Sequence, residues 1–172
     1  RISKTVTYNT EKYIADTLRS AMRIRNKWNF DIEKYRSISD SILTDEQMQT
    51  MKYVCENTVT VLQGFAGSGK SFSVLALMNM LRDNYKTAIL VAPTGRAAKV
   101  LKKYTQHEAS TIHRGLAFRP PNEWGYNEEQ KLPYDIVILD ETSMVDVYLF
   151  KHLLESIDFH RTKLLLIGDN AQ

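Results

Sequence analysis

Cysteine is nearly absent from this sequence: Cys55 stands alone, which excludes an internal disulfide and fits a reducing compartment. Long hydrophobic runs are absent too. No stretch approaches the roughly 20 apolar residues that a membrane-crossing helix needs, and no signal-peptide pattern opens the chain. The expectation is a cytoplasmic protein without membrane attachment. Charge of one sign is also lacking: 23 Lys and Arg stand against 20 Asp and Glu. The resulting net of +3 is too small to argue nucleic-acid binding by itself. There is no internal repeat and no low-complexity segment. Cys55 lies in a helical pattern, where a small half-buried apolar residue is a plainer account than a catalytic thiol.

What is present is ordinary for a globular protein, 43% apolar and 25% charged over 172 residues, enough for one domain with an appendage. Residues 1–40 carry nine Lys/Arg and five Asp/Glu, a net of +4, and the remainder balances at −1. Residues 1–8 show no clear pattern. From Thr10 to about Lys27, Tyr13, Ile14, Leu18, Ala21, Met22 and Ile24 follow helical spacing, with Arg19, Arg23 and Arg25 on the solvated side. A shorter helix is expected over Asp31–Arg36, then a polar linker through Ser41. Thr44-Asp45-Glu46-Gln47 has the form of a capping box for a helix reaching about Glu56. Met48, Met51, Val54 and Cys55 give that helix one apolar stripe. The expected organisation is a helical segment at 1–43, the tail of a preceding domain or a linker, followed by a domain at 44–172. The chain starts at Arg1 and stops at Gln172 directly after a motif-like stretch, so a fragment of a larger protein is expected.

Four short apolar runs follow: Val59–Leu62, Ala88–Ala92, Ile136–Leu139 and Leu164–Ile167. Continuous rather than alternating apolarity predicts strands buried on both faces. Helices are expected between them at about Ser71–Asp83, Arg96–Tyr104, Thr111–Leu116 and Asp146–Ser156. Such alternation predicts an α/β doubly wound parallel sheet flanked by helices, with ligands at the carboxyl ends of the strands. Residues 118–134 break the pattern as a long loop. Trp124 and Tyr126 in it could stack on bases or could pack the loop onto its own domain.

Glycine is scarce, seven residues in all, yet three of them fall within Gly64-Phe65-Ala66-Gly67-Ser68-Gly69-Lys70-Ser71. This stretch fits G-x-x-x-x-G-K-[ST], a loop whose backbone N–H groups cradle the phosphates of a nucleotide. At average residue usage a chance match in a chain this long is roughly 1%, so the motif carries weight before its context does. Strand, glycine loop and helix follow in the required order. The phosphate-binding set is Gly64, Ala66, Gly67, Ser68, Gly69, Lys70 and Ser71, with Lys70 on the β- and γ-phosphates and the Ser71 hydroxyl on Mg²⁺. Asp140-Glu141 ends the third apolar run. Asp140 there can hold Mg²⁺ opposite Ser71, and Glu141 can orient and deprotonate an attacking water. The expected cofactors are therefore a nucleoside triphosphate and Mg²⁺.

Further elements then appear in order. Ala92-Pro93-Thr94-Gly95-Arg96-Ala97-Ala98-Lys99, Ala109-Ser110-Thr111-Ile112-His113, Asp140-Glu141-Thr142-Ser143-Met144 and the terminal Gly168-Asp169-Asn170-Ala171-Gln172 join the phosphate loop. Together they resemble the first RecA-like domain of superfamily 1 helicases, in its RecD-like branch (superfamily 1B). Pif-type and Dda-type helicases share several of the elements.

The resemblance implies a P-loop NTPase with a RecA-like fold and ATP as its nucleotide. It implies that Gln47 reads adenine, so capping and adenine recognition compete for one side chain. It gives Gln172 the sensing of the γ-phosphate beside the catalytic Lys70, Asp140 and Glu141. Pro93, Thr94 and His113 match positions that touch single-stranded DNA in that family, and Arg96 and Thr111 beside them complete the expected DNA-binding set. Arg96, Lys99 and Lys103 lie at i, i+3 and i+7, one basic helix face beside them. The implied activity is 5′→3′ DNA unwinding in repair and recombination, with other nuclease or helicase subunits as further partners. The second RecA-like domain that completes such an ATP site has no counterpart here. This chain alone is therefore expected to bind nucleotide, hydrolyse it poorly and unwind nothing. A stand-alone nucleotide-dependent DNA-binding module is the alternative. A small-molecule kinase would need an arginine-rich lid after the third strand, and none is there.

Overall fold

The first helix begins earlier than its apolar spacing predicts. In the computed structural model, which describes residues 3–64 and 69–169, helix α1 runs Lys4–Met22. The Ser3 hydroxyl starts it by accepting the Val6 N–H at 3.2 Å. Val6 and Tyr8 are exposed, so the opening turns carry no apolar stripe that periodicity could detect. The helix also stops short of Lys27. Residues beyond it run irregularly and are tied down by other elements: the Thr58 hydroxyl donates to the Ile24 carbonyl at 2.7 Å, and the Trp28 N–H donates to the Cys55 carbonyl at 2.8 Å. Instead of a helix at Asp31–Arg36 there is a single 3₁₀ turn, Ile32–Tyr35. The expected linker contains a minimal antiparallel pair, β1 (Ser37–Ile38) and β2 (Ser41–Ile42). Helix α2 (Asp45–Glu56) begins at Thr44, as its capping box predicts.

Five strands, not four, form the main sheet. In chain order come β3 (Val59–Gly64), helix α3 (Lys70–Asp83), β4 (Ala88–Ala92), helix α4 (Gly95–Thr105), β5 (Ala109–Thr111) and the one-turn helix α5 (Ile112–Gly115). A hairpin of β6 (Phe118–Arg119) and β7 (Glu123–Trp124) follows, then β8 (Ile136–Leu139), a 3₁₀ turn at Thr142–Met144, helix α6 (Val147–Glu155) and β9 (Lys163–Asp169). The spatial order is β3-β9-β8-β4-β5, parallel throughout. β5 escapes the apolar pattern because it is an edge strand whose three residues are only half-buried. β3 is the opposite edge, so the expected burial on both faces fails there: Val61 is 58% exposed. β8, at the centre, is wholly buried.

Each face of the sheet buries its own apolar layer. Met51 and Val54 from α2, Leu77, Met80 and Leu81 from α3 and Leu101 from α4 pack with Leu90, Ile136, Ile138 and Leu165. On the other face Ala21 from α1, Leu153 and Leu154 from α6, and Ile112 and Leu116 pack with Val137, Leu139, Leu164 and Leu166. The α/β doubly wound architecture follows from these two layers. The hydroxyls of Thr7 and Tyr148 meet at 2.5 Å, fastening α1 to α6.

Candidate functional site

The carboxyl ends of β3, β9, β8, β4 and β5 form one edge of the sheet, and the parallel register sets what stands there. Gly64 ends β3 beside Asp169, while Leu139 of β8 lies between Val91 of β4 and Leu166 of β9. Asp140 therefore emerges in the middle of that edge. Ala66, Gly67, Ser68 and Gln172 lie outside the described residues. The loop is described again from Gly69, whose φ of +83° is a conformation glycine adopts without strain. A Cβ at this position would overlap Nε2 of Gln47.

Gln47 explains that close approach. Its Oε1 accepts the Thr44 N–H at 2.9 Å, the Thr44 hydroxyl accepts the Gln47 N–H at 3.1 Å, and Nε2 donates to the Gly69 carbonyl at 3.2 Å. One side chain thus caps α2 and braces the loop entering α3. Lys70 follows, its Nζ donating to the Gly168 carbonyl of β9 at 3.1 Å. That partner is neutral, and among the described residues Lys70 forms no salt bridge. Ser71, exposed, sits in the first turn of α3.

Asp140 is only 8% exposed. Its Oδ1 accepts the Glu141 N–H at 2.8 Å and its Oδ2 accepts the Tyr104 hydroxyl at 3.0 Å. Burial, reinforced by the Asp140 carboxylate, pushes the Tyr104 pKa well up, so that hydroxyl stays a donor. Each carboxylate oxygen still has a lone pair to offer. Glu141 adopts a left-handed backbone (φ 55°, ψ 43°), a conformation that costs a non-glycine residue of order 1 kcal/mol. It is held there from both sides, by the Asp140 carboxylate on its N–H and by the Met144 N–H on its carbonyl at 3.0 Å. The Thr142 hydroxyl donates to the Ile167 carbonyl at 2.9 Å and ties this turn to β9. No cluster of three or more His, Cys, Asp or Glu exists among the described residues. A single buried carboxylate suits Mg²⁺ arriving with phosphates, because that ion is commonly held by one or two carboxylates plus its substrate.

The remaining residues expected at the site sit along the β4 and β5 side of the same edge. Pro93 is half-buried after β4. The exposed Thr94 caps α4 by accepting the Ala97 N–H at 3.1 Å, and Arg96, Lys99 and Lys103 are exposed on that helix. Thr111 caps α5 by accepting the Arg114 N–H at 3.2 Å. His113 is exposed, its ring stacked on Trp124 at 5.6 Å and edge-on to Phe118 at 5.3 Å. Trp124 also stacks on His152 at 4.1 Å, and burial lowers the His152 pKa. Of the two readings open for Trp124, packing onto its own domain is the observed one. Tyr104 was missed by sequence reasoning because its spacing from Ala97 and Leu101 looks like core. The usable signal was that a buried tyrosine needs a hydrogen-bond partner.

The AAA domain family matches residues 47–172. The chain is 34% identical over 130 residues to the ATP-dependent RecD2 DNA helicase of Deinococcus radiodurans, a match covering 76% of this chain and 18% of that protein. It is 32% identical over 153 residues to the RecBCD enzyme subunit RecD of Mycolicibacterium smegmatis, covering 74% of this chain and 27% of that one. Among solved structures, Bacteroides sp Pif1 in complex with ADP-AlF4 matches with a TM-score of 0.52 and 25% identity, over 77% of this chain and 33% of that chain. The chain thus spans about a quarter or less of the length of these two curated relatives.

Proposed function

The chain belongs to the AAA domain family, as a RecD-like superfamily 1B motor domain of RecA-like fold, and on that premise we propose that it forms half of the ATP site of a DNA helicase. The observation that carries this reading is Lys70, a cation whose one partner among the described residues is a backbone carbonyl, reaching β9 next to the strand that Asp140 follows. An ammonium so placed is available to a phosphate.

In this reading the backbone of Gly64, Ala66, Gly67, Ser68 and Gly69 cradles the phosphates, and Lys70 contacts the β- and γ-phosphates. Ser71 and Asp140 hold Mg²⁺, which when bound offsets the charge of the phosphate oxygens. Glu141 orients a water and takes its proton as the water attacks the γ-phosphorus and the bond to the β–γ bridging oxygen breaks, ADP leaving with that oxygen. Gln172 senses the γ-phosphate. Gln47 has a second amide hydrogen and a second oxygen lone pair, so it can read adenine without releasing Thr44 or Gly69. Pro93, Thr94, Arg96, Thr111 and His113 contact single-stranded DNA, with movement 5′→3′. A second RecA-like domain supplies the charges that complete hydrolysis, which can be worth several orders of magnitude in turnover. Residues 1–43 serve as a segment leading into the motor domain at 44–172. Since one relative is named a RecBCD enzyme subunit, other nuclease or helicase subunits are candidate partners.

A fluorescent ATP analogue titrated with Mg²⁺ into the chain and into Lys70→Ala tests the proposal. Binding weakened at least about tenfold in the variant is expected from losing the phosphate-binding ammonium. Equal binding by both would overturn the assignment, and strand separation by this chain alone would sink the half-site reading.

A further inference from the structure

Asp140 carries two hydrogen bonds of different origin. One comes from the next residue in the chain, Glu141 N–H on Oδ1, and moves with the turn. The other comes from α4, where the Tyr104 hydroxyl reaches Oδ2 at 3.0 Å. An aspartate side chain rotates broadly about its terminal torsion, so a single donor on one oxygen does not set the plane of the carboxylate. A second donor on the other oxygen, carried by a separate element, does.

Nothing in the packing requires that hydroxyl. Tyr104 is half-buried against the apolar layer of Leu101 and its neighbours, a position phenylalanine would fill equally well. Its hydroxyl instead ends on a carboxylate that is itself 8% exposed. We propose that Tyr104 is a positioning residue for Asp140, fixing the carboxylate plane so that its remaining lone pairs face the metal, and tying the metal site to α4. This rests on reading Asp140 as a Mg²⁺ ligand. It adds a residue that no motif contains, on the helix that Thr94 caps and whose first turn bears Arg96.

The alternative is that the two groups only satisfy each other's burial. In that case removing the hydroxyl costs stability and leaves metal affinity alone. Groups that orient metal ligands typically change metal affinity by roughly 10–100-fold when removed. The Mg²⁺ concentration for half-maximal binding of a fluorescent ATP analogue is therefore measured in the chain and in Tyr104→Phe, together with Mg²⁺-free nucleotide affinity and the unfolding temperature. The expected result is a half-saturation raised about tenfold with Mg²⁺-free affinity unchanged. Tyr104→Met, which keeps apolar bulk without a donor, should match it. Unchanged half-saturation in a folded Tyr104→Phe overturns the proposal. If the parent chain binds the analogue with no Mg²⁺ dependence, the ligand role of Asp140 itself fails, an outcome distinguished by appearing before any substitution is made.

Discussion

Replacing Lys163 by methionine should destabilise the fold at neutral pH and abolish a rise in stability between pH 7 and pH 9. Lys163 begins β9 and is 1% exposed. Its ammonium donates to the carbonyls of Asn26, Asn57 (2.8 Å) and Cys55 (3.5 Å), and lies 4.8 Å from the Trp28 ring centroid. It thus joins the segment after α1, the end of α2 and the sheet. The Cys55 carbonyl keeps the Trp28 N–H in the variant, whereas those of Asn26 and Asn57 lose the donor that Lys163 provides. A buried acceptor stripped of its partner costs about 1–3 kcal/mol, part of which is offset by no longer burying a charge, so a net loss of about 2 kcal/mol is expected. Burial lowers the Lys163 pKa from 10.5 to about 8. The unfolded chain therefore binds more protons than the folded one between those values, and stability rises with pH across that window and is lost as pH falls back through 8. From pH 7 to pH 9 the gain is about 1 kcal/mol. Above pH 9 the Cys55 thiol, pushed up to about 11 by burial, works in the opposite direction, so the comparison belongs below it. Urea unfolding at pH 7, 8 and 9 measures both effects. A Lys163→Met protein with the parent's rise, or one more stable than the parent at pH 7, would refute the reasoning.

Two further substitutions test the contacts that Gln47 makes with Gly69 and with Thr44. Gly69→Ala places a Cβ on Nε2 of Gln47 and forces φ +83° on a residue with a side chain, so it should lose the Gln47 brace and at least about 1 kcal/mol. Nucleotide binding, followed with the same fluorescent analogue, should fall with it; parent-like binding would show that the brace does not set the loop. Thr44→Ala removes the side-chain cap of α2 but keeps the backbone N–H that Gln47 accepts, and should cost about 1 kcal/mol by the shift in urea midpoint. An unchanged midpoint would mean that tertiary packing alone holds the start of that helix.

The strand ending at Gly64, the helix starting at Lys70 and the place of Asp140-Glu141 after a buried strand were legible because each rests on local chemistry. Glycine spacing, a lysine, and carboxylates after a buried aliphatic run need no knowledge of distant contacts. The capping box at Thr44 was legible for the same reason. What was not legible depends on partners far apart in the chain. β5 exists as a strand because β4 pairs with it, at a place where Ala109-Ser110-Thr111 offers no continuous apolar run. Trp124 reads as a loop aromatic until the fold brings His113 and His152 to it. Tyr104 and Asp140 are 36 residues apart, and only the sheet register makes them neighbours. Gln47 joins the two cases: its capping role is local, and its hold on Gly69, 22 residues on, is tertiary. Where one side chain serves both, the sequence supports two readings that need not exclude each other. Among the described residues Gln47 fills both structural roles with one lone pair of its amide oxygen and one amide hydrogen, and a second lone pair and hydrogen remain.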